Sequence, residues 1–170
     1  MPRRLRSSQR PGDEHAGHSI CEASYPGTLG DVTREEMHRT IKVMVDSLNE
    51  AGWDGRAVTQ YYEPDTVIHP FPEWPGEAVY RGHDGLIAVL NEWTQNFDEM
   101  HVELVRLVDA EDGVVVLGWM SGRSKGQGVP TRLQMGTLAE FGDDRLRESW
   151  FYLSWDEALK KAGVENDSTA

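Results

Sequence analysis

The apolar residues of this chain change period once, near residue 101, and that change limits the folds open to it. Before it they recur at helical spacing; after it they alternate. Met37, Ile41, Met44, Val45 and Leu48 make one helical stripe, and Leu86, Val89, Leu90 and Trp93 make another. Four alternating stretches follow at about 101–109, 113–123, 131–141 and 145–154. The turns between them are Ala110-Glu111-Asp112-Gly113, Gly126-Gln127-Gly128 and Gly142-Asp143-Asp144. Long strands joined by short turns pair with their neighbours as an antiparallel, strongly curved meander. Helices first and a sheet afterwards is an α+β order, not the alternation of an α/β protein.

Local signals set the element ends. Thr33 and Glu36 form a capping box, each side chain satisfying the other's free backbone N–H. Gly52 stops the first helix, and Asp54 caps a second, short one predicted to run to about Tyr62 with Val58, Tyr61 and Tyr62 inward. Pro64 ends it, and Thr66 to His69 reads as a brief strand. Pro70, Pro72, Pro75 and Gly76 then make a rigid loop carrying Phe71 and Trp74. The third helix runs from Gly82 to about Phe97. A second box, Ser154-x-x-Glu157, opens a last short helix that ends at Gly163. Residues 1–30 are rich in Arg, Ser, Gly, Pro and His and have no period, so they are expected to be a disordered tail. The domain is expected at 31–165, with 166–170 as a disordered C-terminus.

Charge removes several classes of function. Seventeen Lys and Arg stand against 29 Asp and Glu, a net charge of −12. Nucleic-acid binding needs clustered cations, and anionic membranes disfavour the same sign, so neither partner is expected. Arg3, Arg4, Arg6 and Arg10 lie in the tail and read as solvated. The basic N-terminus is followed by no apolar run, and no stretch approaches the ~20 residues of a membrane span. A cytoplasmic location is the expectation. Cys21 is the single cysteine, which excludes an internal disulfide and a CxxC metal site. His15 and His18 have metal-pair spacing but no third ligand nearby, so no metal and no cofactor is expected.

Three stretches carry a resemblance. They are Leu48 to Asp54 leading into Tyr61-Tyr62-Glu63-Pro64-Asp65-Thr66-Val67-Ile68-His69-Pro70; Tyr80-Arg81-Gly82-His83-Asp84-Gly85-Leu86; and Trp150-Phe151-Tyr152-Leu153-Ser154-Trp155-Asp156-Glu157-Ala158-Leu159, closing with Ala162-Gly163. In order and spacing, across about residues 34–164, they resemble the SnoaL-like, NTF2-like superfamily. That resemblance implies a cone of three N-terminal helices packed into a strongly curved, mainly antiparallel sheet around a deep apolar pocket. Relatives include ketosteroid isomerases, polyketide cyclases, limonene-type epoxide hydrolases, dehydratases and proteins that only bind ligands, so the fold alone does not decide the function.

The resemblance also suggests site residues, one position at a time. The general base of ketosteroid isomerases is an aspartate before a proline, and His69 before Pro70 matches it. A histidine there can still move protons near neutral pH, which makes His69 the catalytic candidate. The oxyanion-hole positions fall on Met44 and Thr137, which do not reproduce that stabilisation. The last-strand aspartate of the limonene-type hydrolases falls on Phe151. By register with the family, Val115, Leu117, Trp119 and Ser121 should face the pocket, together with Met135, Thr137 and Ala139, and with Ser149 and Phe151. Tyr61, Tyr62 and Trp74 are expected beside His69 or at the mouth, with Val89 and Trp93 reaching in from the third helix. His83 and His101 are expected at the surface.

The opposite parity holds Glu148, Trp150 and Tyr152. Large aromatics are costly to leave wet, and the resemblance implies homodimerisation through this outer face. Three functions stay open. The first is acid–base chemistry on an apolar cyclic substrate, as isomerase, cyclase, dehydratase or hydrolase. The second is non-catalytic binding of a small apolar molecule. The third is a module for dimerisation or partner association.

Overall fold

A computed structural model describes residues 28–29 and 32–165 of the chain. The expected tails at 1–30 and 166–170 lie outside the described residues, except for Thr28 and Leu29. Those two form β1 (Thr28–Leu29), paired antiparallel with β2 (Val32–Thr33), so regular structure begins ahead of the first helix. Helix α1 spans Arg34–Glu50, and its capping box forms as expected: Glu36 N–H donates to Thr33 Oγ1 and Thr33 N–H donates to Glu36 Oε2. Met37, Ile41 and Val45 are its buried stripe. Asn49, near its end, bonds both N–H and C=O of Val102 and so ties the helix to the sheet.

The expected second helix is not an α-helix. Two 3₁₀ turns, Gly55–Ala57 and Thr59–Tyr61, take its place. Asp54 caps the first turn as expected, accepting from Arg56 N–H and from the Arg56 guanidinium. The helix cannot continue because Tyr62 is already extended and pairs with Leu146 in the sheet. Strand β3 therefore runs Tyr62–His69, four residues longer at its start than expected. Next come β4 (Tyr80–Arg81), α2 (Gly82–Asn96), β5 (Phe97–Asp109), β6 (Gly113–Ser124), β7 (Pro130–Phe141), β8 (Leu146–Tyr152) and α3 (Trp155–Lys161).

The large sheet has the order β4-β3-β8-β7-β6-β5. Its pairs are antiparallel except β3 with β8, which is parallel, so the sheet is mixed. The architecture is α+β, as read from the period change. Strand β5 shifts register against β6 twice, and Glu99 takes φ +55° at the first shift. Bulges of this kind bend a strand and deepen its twist.

The sheet has two differently covered faces. The inner face packs against α1 and α2 around Ile68, Val114, Val116, Met120 and Ala139. The outer face packs against α3, where Ala158 and Leu159 meet Val115, Leu117 and Leu138. Gly136 makes that docking possible: a Cβ there would lie 2.7 Å from Ala158 Cβ and 2.9 Å from Ser154 O. Trp150 and Tyr152 pack against the same cluster and are half-buried. Much of the cost expected of wet aromatics is thus removed within the chain itself.

Candidate functional site

Register decides what reaches the space between the inner face and the helices. Directly paired residues on neighbouring strands point to the same side of a sheet. Between β7 and β8, Thr137 pairs with Phe151 and Ala139 with Ser149, so odd-numbered residues face the helices together on both strands. Between β6 and β7, however, Val116 pairs with Thr137 and Gly118 with Met135. An odd residue on β7 faces an even one on β6. A shift of one residue moves a whole strand's side chains to the other face.

An internal cavity of about 100 Å³ lies there. Met44, Val45 and Leu48 of α1 form one wall, and Val89, Leu90 and Trp93 of α2 another. The sheet contributes Val116, Met120, Met135, Thr137, Ser149 and Phe151. Tyr62, at the start of β3, is also in the wall. Burial pushes its phenol well above the usual tyrosine range, so the hydroxyl keeps its proton near neutral pH. No Asp, Glu, His, Lys or Arg stands in this wall among the described residues.

Trp53 is a wall residue that periodicity did not reveal. Helix α1 ends in a Schellman motif: Trp53 N–H donates to Leu48 O at 2.9 Å and Gly52 N–H to Asn49 O at 3.3 Å. Gly52 takes φ +63°, which the motif requires, and Trp53 itself takes φ +69°. Left-handed backbone is rare for a bulky residue and marks a held, strained position. Trp53 is 4% exposed and lines the cavity, as Leu48 does. The legible signal was Gly52 beside a large aromatic.

The sequence-derived candidates divide. Tyr62, Val89 and Trp93 line the cavity, as do Met135, Thr137, Ser149 and Phe151. Tyr61 stands behind it, with its hydroxyl 3.5 Å from Ser47 Oγ. Trp74 is one layer outside, tilted on Trp93 at 5.2 Å and edge-on to Phe71 at 5.3 Å. Its indole N–H donates to Tyr80 Oη, which in turn donates to Glu92. Leu117 and Trp119 need correction. They lie on the outer face, Leu117 under α3 and Trp119 edge-on to Trp155 at 5.3 Å, because of the odd register between β6 and β7. Val115 moves with them, and Val116 and Met120 take their places.

His69 also needs correction. Parallel pairing of β3 with β8 sets Ile68 beside Ser149 and His69 beside Trp150. Ile68 therefore faces the interior and His69 the outer side. There its ring stacks on Trp150, centroids 5.0 Å apart and 2° from parallel, and Nε2 lies 2.8 Å from Glu148 Oε1. It is no wall residue of the cavity. His83 differs from expectation in a smaller way: its Nε2 lies 2.9 Å from Tyr62 O, joining α2 to β3. His101 is exposed as expected.

Comparison with solved structures finds the same architecture many times over, with 288 chains matching. An NTF2-like protein of unknown function from Burkholderia pseudomallei K96243 superposes with a TM-score of 0.62 at 16% identity, covering 76% of this chain and 98% of its own. A protein with a ketosteroid isomerase-like fold from Catenulispora acidiphila DSM 44928, solved in complex with trimethylamine, gives 0.56 at 18%, covering 72% and 93%. A protein described as a SnoaL-like polyketide cyclase from Shewanella denitrificans OS-217 gives 0.56 at 17%, covering 74% and 95%. Identities this low speak for the fold alone. No curated protein matches the sequence. The profile of the SnoaL-like domain matches residues 41–149, from the buried stripe of α1 to the inner-face serine of β8. That span takes in both helical walls of the cavity and its sheet floor, and on it the chain belongs to the SnoaL-like domain family.

Proposed function

We propose that this protein binds a small, uncharged, largely apolar molecule in its internal cavity. One observation carries the reading: the wall holds apolar side chains and a few neutral polar ones, with no carboxylate, imidazole or amine among the described residues. A charged ligand would lose its hydration there and find no opposite charge. Acid–base catalysis of the kind seen in isomerases and cyclases of this fold is the weaker reading. His69 lies on the other face of the sheet, and the fully buried phenol of the wall, Tyr62, is held protonated by burial.

Size supports a compact ligand. A dry cavity of about 150 Å³ in another protein takes up benzene. At about 100 Å³ this cavity suits a single small ring unless Phe71 and Trp93 at its rim move apart. Thermal unfolding with a panel of small cyclic ketones and hydrocarbons tests the proposal. A ligand that binds only the folded state raises Tm with concentration, by the equivalent of about 2.7 kcal/mol at one hundred times Kd. A Tm unmoved by every compound of the panel would refute the reading.

We also propose a second copy of the chain on the outer sheet face, where Trp150 and Tyr152 stay half-buried beside α3. Light scattering should give a dimer mass, and Trp150→Glu should return the monomer. A monomer mass for the unaltered chain would count against it.

A further inference from the structure

Among the described residues, two buried side-chain polar atoms lack a hydrogen-bond partner, Trp53 Nε1 and Thr137 Oγ1. Their residues are 4% and 6% exposed, and both stand in the cavity wall. Such orphans are uncommon, because a buried donor or acceptor without a partner gives up its bonds to water for nothing. Elsewhere the chain satisfies even awkward groups. Thr66 Oγ1 donates to Arg147 O, Asn49 serves both polar groups of Val102, and Tyr80 Oη serves three neighbours. Both exceptions belong to residues lining the one cavity, and one of them sits on strained left-handed backbone.

We propose that the ligand carries one neutral hydrogen-bond acceptor, a ketone or a similar carbonyl on a compact ring, which Trp53 and Thr137 recognise. The inference rests on the cavity-binding reading above and narrows it. An indole N–H only donates, so its partner must accept. A hydroxyl donates or accepts and follows the ligand. With a ketone oxygen near these two groups, the ring fills space between Met44, Met120 and Met135, whose unbranched side chains adapt to irregular shapes. A carboxylate would also accept, but the wall offers no cation to offset its burial.

Two probes of nearly one shape test this: cyclopentanone and methylenecyclopentane, titrated calorimetrically against the full chain. Water solvates them differently, so the quantity to read is the change in their Kd ratio between variants. Thr137→Val keeps the shape of the side chain and deletes the hydroxyl. It should reduce the preference for the ketone about 10-fold, the upper scale of one neutral hydrogen bond. Thr137→Ser should stay within about twofold of the unaltered chain. Trp53→Phe should weaken the same preference. In the free protein Thr137→Val should raise Tm by about 2–4 °C, since an unpartnered buried hydroxyl is removed. An unchanged Kd ratio in both Thr137→Val and Trp53→Phe, with both probes still saturating, would overturn the acceptor inference and leave the cavity reading standing. Saturation by neither probe would remove the cavity reading itself, and this inference with it.

Discussion

Glu140 shows how position, more than residue type, sets behaviour on this sheet. It lies on the outer side of β7, directly opposite Glu148 on β8. Burial first and the charge of Asp112 next raise its pKa above the ordinary 4.5; Glu148 adds to the rise, while Arg147 and Lys161 oppose it. The folded state thus holds this proton more tightly than the unfolded chain. The stability linked to this group is fully present below about 4.5 and is lost as pH rises through the raised value. Glu140→Gln should therefore raise Tm near neutral pH, by the equivalent of up to about 1 kcal/mol after solvent screening. Its advantage should vanish under acidic conditions. A gain independent of pH would point to packing instead. His69 makes the complementary case. His69→Ala removes the stack on Trp150 and the contact with Glu148, so it should cost about 1 kcal/mol in denaturant unfolding. It should leave cavity ligands bound with unchanged Kd, because the ring lies across the sheet from them. A large loss of ligand affinity would return His69 to the site.

At the scale of elements, the local signals were legible wherever a local force decides the outcome. The Thr33–Glu36 box, the turns around Gly113 and Gly126, and the ends of β6 and β7 lie within a residue or two of expectation. The misreadings belong to strand pairings, whose partner and register the local pattern does not carry. The stretch after Asp54 has helical spacing, yet Tyr62 is drawn into the sheet by Leu146, more than eighty residues on. His69 reads as a cavity residue until its partner is known to be Trp150. The parity of β6 depends on how the β6–β7 turn closes, and one residue of difference moved Leu117 and Trp119 across the sheet. Helix α3 supplies a test at this scale. It is two turns long and is held by Leu159, 1% exposed, against Val115, Leu117 and Leu138. Leu159→Ala should cost about 2–5 kcal/mol in denaturant unfolding, as buried leucine deletions do. Gly136→Ala should push α3 off the sheet and expose Trp150 to quenchers of its fluorescence. A fully stable Gly136→Ala protein would mean that α3 docks with room to spare.

For the whole molecule, the two faces of one sheet carry separate tasks. The outer face is partly covered by α3 and by the stack of His69 on Trp150, with Lys161 also over that ring at 4.9 Å. The inner face is left incompletely filled, although interiors normally pack without voids larger than a water molecule. Among the described residues no helix is long and apolar enough to cross a membrane. A space kept open beneath a well-packed sheet, with two polar atoms unanswered in its wall, is the feature that the binding account explains. Methionine methyl groups report on it directly. Met44, Met120 and Met135 line the cavity, whereas Met37 and Met100 are buried elsewhere in the same core. In a titration of ¹³C-methyl-methionine protein with cyclopentanone, the resonances of Met44, Met120 and Met135 should shift saturably while those of Met37 and Met100 hold still. Saturating shifts confined to Met37 and Met100, or no saturable shift at any methionine, would contradict binding in this cavity.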